Sequence, residues 1–338
     1  MSCGRFAVVC CIVTCLALGA LTTEALGQAV GPEAYAMASV FGMSSTTPTR
    51  QLGMGAPSSC VSDIQCVNPA FAADTQTPDA GLRFVTTDFE RGPRITSYLV
   101  HGAYPLRPGE SGLQLTWLTL DSSGGNIMLP GVGPATAGMS EHGLVVVYGH
   151  RLNDQLCGGM SVLGSQRSSF DFTPPLGPAL ANIRGKASWG LRGGLTYEWA
   201  PGDYLGVVYG YSQNDVTANG LMFPTPFAGT FHSDQIAVGA SGHVTPELLA
   251  VIEYREGSTS SGQIESSTAS WQFGAEYQAA PEWAVRAGLT DQNPTFGVGY
   301  EGPTWRVDYA FISDWHDDSA GRLFGGSETH SLQVIGSW

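Results

Sequence analysis

The chain has 338 residues, 15 of them basic and 29 acidic, for a formal net charge of −14, and Lys186 is its one lysine. No basic stripe for nucleic acid exists, and that class of partner is excluded. Past the N-terminus no apolar run is long enough to cross a bilayer as a helix, although 43% of residues are hydrophobic; the mature chain is either soluble or crosses as strands.

Residues 1–27 read as a secretory signal. Arg5 supplies the positive start, Phe6 to Leu21 the apolar run, and Ala25-Leu26-Gly27 a small-residue cleavage site before Gln28. Its removal takes away Arg5 and Glu24, so 14 basic and 28 acidic residues remain and the charge stays at −14. Four cysteines leave with it. Of Cys60, Cys66 and Cys157, the first two can close a small loop as a disulfide in an oxidising compartment; three free thiols are the alternative.

Residues 28–80 carry Met37, Phe41, Met43, Met54 and Phe71 among Gly, Ser, Thr and Pro. Such a segment cannot form a core by itself. Inside a barrel it would pack against the lumen as a plug; in water it would be a disordered exported tail. The Asn68-Pro69 step and the two cysteines favour the plug.

From residue 186 onward the sequence alternates with regularity, and the strands before it are less clean. Trp189, Leu191, Leu195, Tyr197 and Trp199 share one face of a strand, with Arg192, Gly194, Thr196 and Glu198 on the other. Ala269, Trp271, Phe273, Ala275 and Tyr277 repeat the pattern, as do Trp305, Val307, Tyr309 and Phe311. A soluble sandwich would also alternate. Against it stand aromatics gathered near the ends of the apolar face, as an interfacial girdle requires, and an opposite face of Gly, Ser, Thr and Gln that suits a crowded lumen. Strands are expected near 81–90, 94–104, 112–120, 143–151, 156–164, 188–199, 204–213, 232–244, 248–255, 267–278, 283–290, 294–300, 304–312 and 330–338. Their connections alternate between tight turns, such as Ala200-Pro201-Gly202-Asp203, and longer stretches at 121–142, 165–187, 214–230, 256–266 and 313–328. This asymmetry belongs to outer-membrane barrels, whose periplasmic turns are short and outer loops long. The fold expected is all-β: a transmembrane antiparallel up-and-down barrel of about 14 strands, with its plug at 28–80 and its wall at 81–338.

The last strand, SLQVIGSW, sets Leu332, Val334 and Trp338 on one face and Ser331, Gln333 and Ser337 on the other, with Ile335 out of pattern. Pairing it with the first strand removes the open edge, which lipid would penalise by several kcal/mol per unpaired group. An aromatic at the final position, Trp338, is the feature that barrel-assembly machinery reads in its clients.

These residues resemble a family. VNPAFAA at 67–73, with Asn68, Pro69 and Ala70, is similar to the Asn-Pro-Ala element of FadL-like fatty-acid transporter barrels and their PorV/PorQ relatives. HGAYPLRPGESGLQLTWLTLDSSG at 101–124 and LVVVYGHRLNDQLCGGMSV at 144–162 resemble the early hairpins of that group. WAVRAGLTDQNPTFGVGYEGPTWRVDYAF, which starts at Trp283, resembles its closing strands. Phe71 departs from the pattern, where a glycine or aliphatic residue is more usual. The resemblance implies a fourteen-stranded outer-membrane barrel with a plugged lumen, used for uptake of hydrophobic compounds or in protein secretion, with no catalytic residues.

Three outer loops are unusually apolar: Met128 and Leu129; Phe170 and Phe172; and Leu221, Met222 and Phe223 with Phe227. They are expected to capture a hydrophobic ligand or to pack on one another over the mouth. Inward-facing Glu276, Arg286, Arg306 and Asp308 fall in one half of the barrel and are expected to form an ion-pair ladder that fastens the plug, because arginine on the lipid face costs about 2–4 kcal/mol. The seven histidines are scattered. Ser140-Glu141-His142 makes no nucleophile elbow, and GVGPATAG at 131–138 joins no strand to a helix. Asp314, His316, Asp317 and Asp318 read as a solvated acidic loop sooner than a metal site. No enzyme, cofactor or metal is expected. The leading function is passive uptake of small hydrophobic compounds across the outer membrane; the alternative is a PorV-like partner that receives or anchors secreted proteins. Expected partners are outer-membrane lipid, barrel-assembly machinery, and a hydrophobic small molecule or secreted proteins.

Overall fold

The computed structural model describes residues 47–63, 65, 67–90, 94–123, 125–129, 133–173, 181–220, 226–261, 264–314 and 326–338. The signal segment, residues 28–46 and Cys66 lie outside them.

Fifteen strand segments form one antiparallel sheet: β1 (Asp79–Phe89), β2 (Arg94–Arg107), β3 (Ser111–Ser123), β4 (Gly125–Leu129), β5 (Gly133–Arg151), β6 (Leu156–Thr173), β7 (Ala181–Ala200), β8 (Asp203–Asn219), β9 (Phe227–Thr245), β10 (Leu248–Ser261), β11 (Ile264–Ala280), β12 (Trp283–Thr290), β13 (Asn293–Glu301), β14 (Trp305–Ser313) and β15 (Ser327–Ser337). Apart from β3 and β4, which both pair with β5, each pairs with its sequence neighbours, and β1 pairs with β15 from Asp79↔Ser337 to Phe89↔Ser327, which closes the cylinder. β3 and β4 lie in line along β5, so the fifteen segments make fourteen staves. Every expected strand is present.

The expected outward face is outward. Trp189, Leu191, Leu195, Tyr197, Phe273, Tyr277, Trp305, Leu332 and Val334 are all exposed, while their alternates Thr196, Gln272, Asp308 and Gln333 are buried. A folded protein in water does not hold such a belt of exposed large apolar side chains; lipid is the solvent it fits. The aromatic edge is organised: Trp283 and Tyr300 stack edge-on at 4.9 Å, and Tyr300 lies 4.8 Å from Trp305, beside tight turns. Ile335, out of pattern in the sequence, is buried on the inward face opposite Gly81.

One expectation is corrected. The stretches 121–142, 165–187, 214–230 and 256–266 are largely strand, not loop. β6 runs to Thr173, β7 begins at Ala181, and β10 and β11 pair up to Ser261↔Ile264. Small polar residues pair as well as apolar ones once the wall rises beyond lipid, because ladder hydrogen bonds do not need a greasy outer face.

Two short elements precede the barrel strands: helix α1 (Thr49–Gly53) and a 3-10 turn (Pro69–Asp74). Both are buried against the inward face of the half that carries the tight turns.

Candidate functional site

The described part of residues 47–74 is laid around the inner wall, and small residues on the wall make room for it. A side chain at Gly112 or Gly149 would collide with Ala72 or Ala73, at Gly159 with Pro69, at Gly194 with Asn68, at Gly206 with Ser59, and at Gly274 or Gly288 with Met54. Backbone thus meets backbone at glycines of β3, β5, β6, β8, β11 and β12, the Asn68 side chain fills the place at Gly194 on β7, and Gly297 on β13 touches Gly53. At β15, Thr49 N donates to Gln333 Oε1 at 3.0 Å and the Thr49 and Ser331 hydroxyls lie 2.7 Å apart. From Thr49 to Ala73 the contacts pass from β15 to β3, the reverse of strand order, except at Asp63, which reaches back to Arg306 on β14.

The Asn-Pro-Ala element is explained by this docking. Asn68 Oδ1 accepts from Ala70 N at 3.1 Å and caps the 3-10 turn, with Pro69 at its first position, where a missing N–H costs nothing. Its Nδ2 donates to Ser59 O at 2.7 Å and to the β7 and β8 carbonyls of Leu195 and Val207. Ala70 and Ala73 pack on Cys157, and Phe71 meets Tyr204 edge-on at 5.1 Å. The Phe71 departure is accommodated by that aromatic contact. Asp74 binds Arg151 Nη2 at 2.6 Å; burial nevertheless pushes its carboxyl above the usual range, with the Arg151 charge pulling the other way.

Glu276, Arg286, Arg306 and Asp308 are brought together. Arg286 Nε donates to Glu276 Oε2 at 2.6 Å and its Nη1 to Asp308 Oδ1 at 2.7 Å, while Arg306 Nε donates to Asp308 Oδ2 at 2.6 Å. Both free ends of this row are taken by the N-terminal segment: Arg50 on Glu276 through two hydrogen bonds, and Asp63 on Arg306. Three cations alternate with three anions. A cavity of about 160 Å³ opens beside the row, lined by Arg50, Glu276, Arg286, Glu301 and Arg306 among others. A second anchor is Glu253, fully buried, whose carboxylate accepts from the backbone N–H and hydroxyl of both Ser58 and Ser59 at 2.6–2.9 Å and from Arg255 at 2.9 Å. A buried charge is stable only when paired this fully. Cys60, next in sequence, is a buried free thiol; burial first, and the Glu253 charge second, push it well above the ordinary thiol range. The state of Cys66, its expected disulfide partner, lies outside the described residues.

The other half of the lumen adds apolar side chains to buried polar ones such as Thr87, Ser122, Glu141 and Thr329. Val85, Leu99 and Leu118 form a buried cluster on β1, β2 and β3. Farther from the tight turns Phe89, Ile95, Leu120, Met139, Ile183 and Phe231 are also buried on the inward face. Sequence alternation did not expose this apolar wall. The pairing of β5 with β6 shifts between His142 and Gly143, and that of β7 with β8 between Gly185 and Ser188. Each bulge exchanges the two faces of the strand that follows.

The expected capture residues are differently placed from the loops assigned to them. Met128 and Leu129 belong to β4, Phe170 and Phe172 to β6, and Phe227 opens β9; their side chains lie outside the description. Phe170 pairs in register with Met139 on one side and Ile183 on the other, both buried inward. Leu221, Met222 and Phe223 are outside the described residues, as are His316, Asp317 and Asp318. Among the described residues no group of His, Cys, Asp or Glu is set to hold a metal. Trp338 is 71% exposed, and its N–H bonds Pro78 O at 3.1 Å.

Comparison with solved structures identifies the fold. The Pseudomonas putida toluene transporter TodX superposes with a TM-score of 0.58 at 14% identity, covering 85% of this chain and 96% of that one. The Ralstonia pickettii toluene transporter TbuX gives 0.57 at 16% identity, covering 85% and 97%. A Pseudomonas aeruginosa FadL homologue gives 0.54 at 13%, covering 87% and 98%. No sequence-family profile and no curated protein matches the chain. The chain is a closed fourteen-stave antiparallel barrel of the architecture seen in FadL-type channels.

Proposed function

We propose that the protein is a passive outer-membrane channel for small hydrophobic compounds, with 1–27 a cleaved export signal, 28–80 a plug and 81–338 the barrel. The observation that carries this reading is the apolar inward wall of Leu99, Leu118, Met139 and Phe231 above a polar, occupied half. A general porin has no use for such a lining, since ions and sugars cross through polar lumens. In this reading the apolar half faces the cell exterior and receives the ligand captured by Met128, Leu129, Phe170, Phe172, Leu221, Met222, Phe223 and Phe227. Solved barrels of the same architecture are described as toluene transporters and as monoaromatic hydrocarbon channels. No energy source is required: the ligand moves down its gradient. Lipid surrounds the apolar belt, and the assembly machinery recognises the strand that ends in Trp338.

The test is uptake of radiolabelled toluene into proteoliposomes. The wild type is expected to accelerate it, and Leu118→Ser with Phe231→Ser to reduce it severalfold. Equal rates in wild-type and empty vesicles would remove the channel reading. Replacing Phe223 and Phe227 by Ser without loss of uptake would remove the capture role of the rim alone. One observation favours a PorV-like role as a partner of secreted proteins, namely the filled half of the lumen; exported proteins copurifying with the barrel would support it.

A further inference from the structure

Three register pairs draw one row across the outward face of the wall: Trp117 on β3 stands opposite Leu144 on β5, Leu144 opposite Gly164 on β6, and Gly164 opposite Trp189 on β7. Trp117 is 46% exposed and Trp189 43%. Three strand spacings separate the two tryptophans, about 14 Å. Between them Gly164 leaves a gap, because a Cβ built there meets nothing within 4 Å. Outward tryptophans mark the level at which hydrocarbon gives way to head groups. What stands above this row, at the end away from the tight turns, meets the head groups of the outer leaflet.

The residues above the row are donors. Thr119 Oγ1 accepts from Trp117 Nε1 at 3.2 Å and lies 3.3 Å from His142 Nδ1. It can give its own hydrogen to Nδ1, which leaves Nε2–H of the exposed His142 ring to donate outward. One step farther up, the Ser140 and Ser169 hydroxyls lie 2.8 Å apart, and Ser169 is the register partner of Arg184. Arg184 gives Nη1 to Asp171 and keeps 43% of its side chain exposed. The backbone places two further cations here: Arg167 is the register partner of His142, and Lys186, the one lysine of the chain, sits in the bulge between Gly185 and Ser188. Asp121 and Asp171 are the acidic residues of the same face. Cations therefore outnumber anions on it.

The next sector is the reverse. On β8, β9 and β10, Asp215, Asp234 and Glu256 accept from the hydroxyls of Thr230, Tyr209 and Tyr254, and the one arginine of those strands, Arg255, is bound to Glu253. In a chain of net charge −14, an anionic head group finds an excess of positive charge on β5–β7 and a deficit beside it.

We propose that the outward face of β5, β6 and β7 above the Trp117–Trp189 row seats the phosphorylated head group of one outer-leaflet lipid. Its acyl chains lie in the gap at Gly164, and His142, Arg184, Arg167 and Lys186 supply charge and donors to the phosphate, whose oxygens take charge-assisted hydrogen bonds. The seat rests on the outer-membrane placement of the barrel and not on uptake, which the measurement below does not read.

The test is native mass spectrometry of the full-length protein released from detergent in the presence of lipid A, a diphosphorylated disaccharide lipid, or of its dephosphorylated form. The wild type is expected to hold one phosphorylated molecule with a dissociation constant about tenfold or more below that of the dephosphorylated form. The double variant Arg167→Gln/Lys186→Gln is expected to lose this preference, while Arg94→Gln, on β2 outside the sector, keeps it. Equal retention of the two lipids by the wild type overturns the proposal. So does an unchanged preference in the double variant, or an equal loss in Arg94→Gln, which would make the attraction a property of the whole rim. Displacement of the lipid by an excess of inorganic phosphate would show a free-anion site and overturn the lipid assignment. Should the double variant fail to assemble, Gly164→Leu fills the gap without touching a charge. It is expected to weaken retention severalfold, and retention equal to the wild type there overturns the seat.

Discussion

Arg50 on α1 and Glu276 on β11 are joined by two hydrogen bonds, Nε to Oε2 at 2.9 Å and Nη2 to Oε1 at 2.6 Å, across 226 residues of sequence. Glu276 is shared with Arg286, and the row continues through Asp308 and Arg306 to Asp63. The N-terminal segment therefore supplies the first cation and the last anion of a neutral row. Glu276→Gln would leave two arginines facing a neutral amide. Loss of one member of a buried pair costs about 3 kcal/mol, so the urea midpoint should fall, with Arg50→Gln restoring part of the loss in the double variant. Additive losses would show that the two side chains act separately.

The glycine contacts predict a second, more local effect. Valine suits a strand, yet at Gly206 it would overlap Ser59 and force the segment off β8. Gly193, with nothing near a built Cβ, provides the control. Gly206→Val is expected to assemble but to raise ion conductance in planar bilayers, while Gly193→Ala conducts as the wild type does. Unchanged conductance in Gly206→Val would mean that the segment does not seal the lumen.

How much of this was legible before the fold was known depends on where each signal lives. The wall was readable because outward residues such as Leu332 and Val334 and inward ones such as Gln333 obey a strict period of two. The row Glu276, Arg286, Arg306 and Asp308 was readable for a related reason: each charge sits on an inward position near a tight turn, which fixes the register of its hairpin. Arg50 and Asp63 were not readable as its ends, because their segment has no period and is placed by contacts with strands more than 200 residues away. Part of the apolar lining was credited to connecting stretches, Met139 to 121–142 and Ile183 to 165–187, and the shift between Gly185 and Ser188 breaks the period that would have placed Ile183; Val85, Leu99 and Leu118 lay in expected strands, where their inward apolar side chains became evident only with the fold. Ile335 was the one clue in the closing strand that inward does not always mean polar.

The closing strand carries its own prediction. Ser337 N donates to Thr304 O and Trp338 N to Pro78 O, so the last two amides tie β15 to both neighbours. The Trp338 ring is exposed and adds little to the fold. Trp338→Ser should leave the melting behaviour of purified protein close to the wild type while lowering the amount assembled in cells. An equal loss in both would assign Trp338 to stability and not to recognition.

Cys60 offers a direct report on the N-terminal segment. It is fully buried beside Val61, Leu249 and Val251, and its thiol is held protonated by burial and by Glu253. The thiolate is the reactive form, so maleimide should not label Cys60 in the folded protein at neutral pH and should label it fully in urea. Because the folded thiol titrates well above its unfolded value, the stabilising contribution of keeping it protonated is complete below the unfolded value. That contribution is lost as pH rises towards the folded one, and labelling should appear only at strongly alkaline pH. Cys157 is buried as well, so a Cys157→Ser background isolates the signal without removing an exposed group. In that background Glu276→Gln should accelerate Cys60 labelling at neutral pH, because release of Arg50 frees the end of the segment that leads to Ser59 and Cys60. Labelling of wild-type Cys60 at the rate of an exposed thiol would show that the segment spends its time outside the lumen, and the docking described for residues 47–74 would then be wrong.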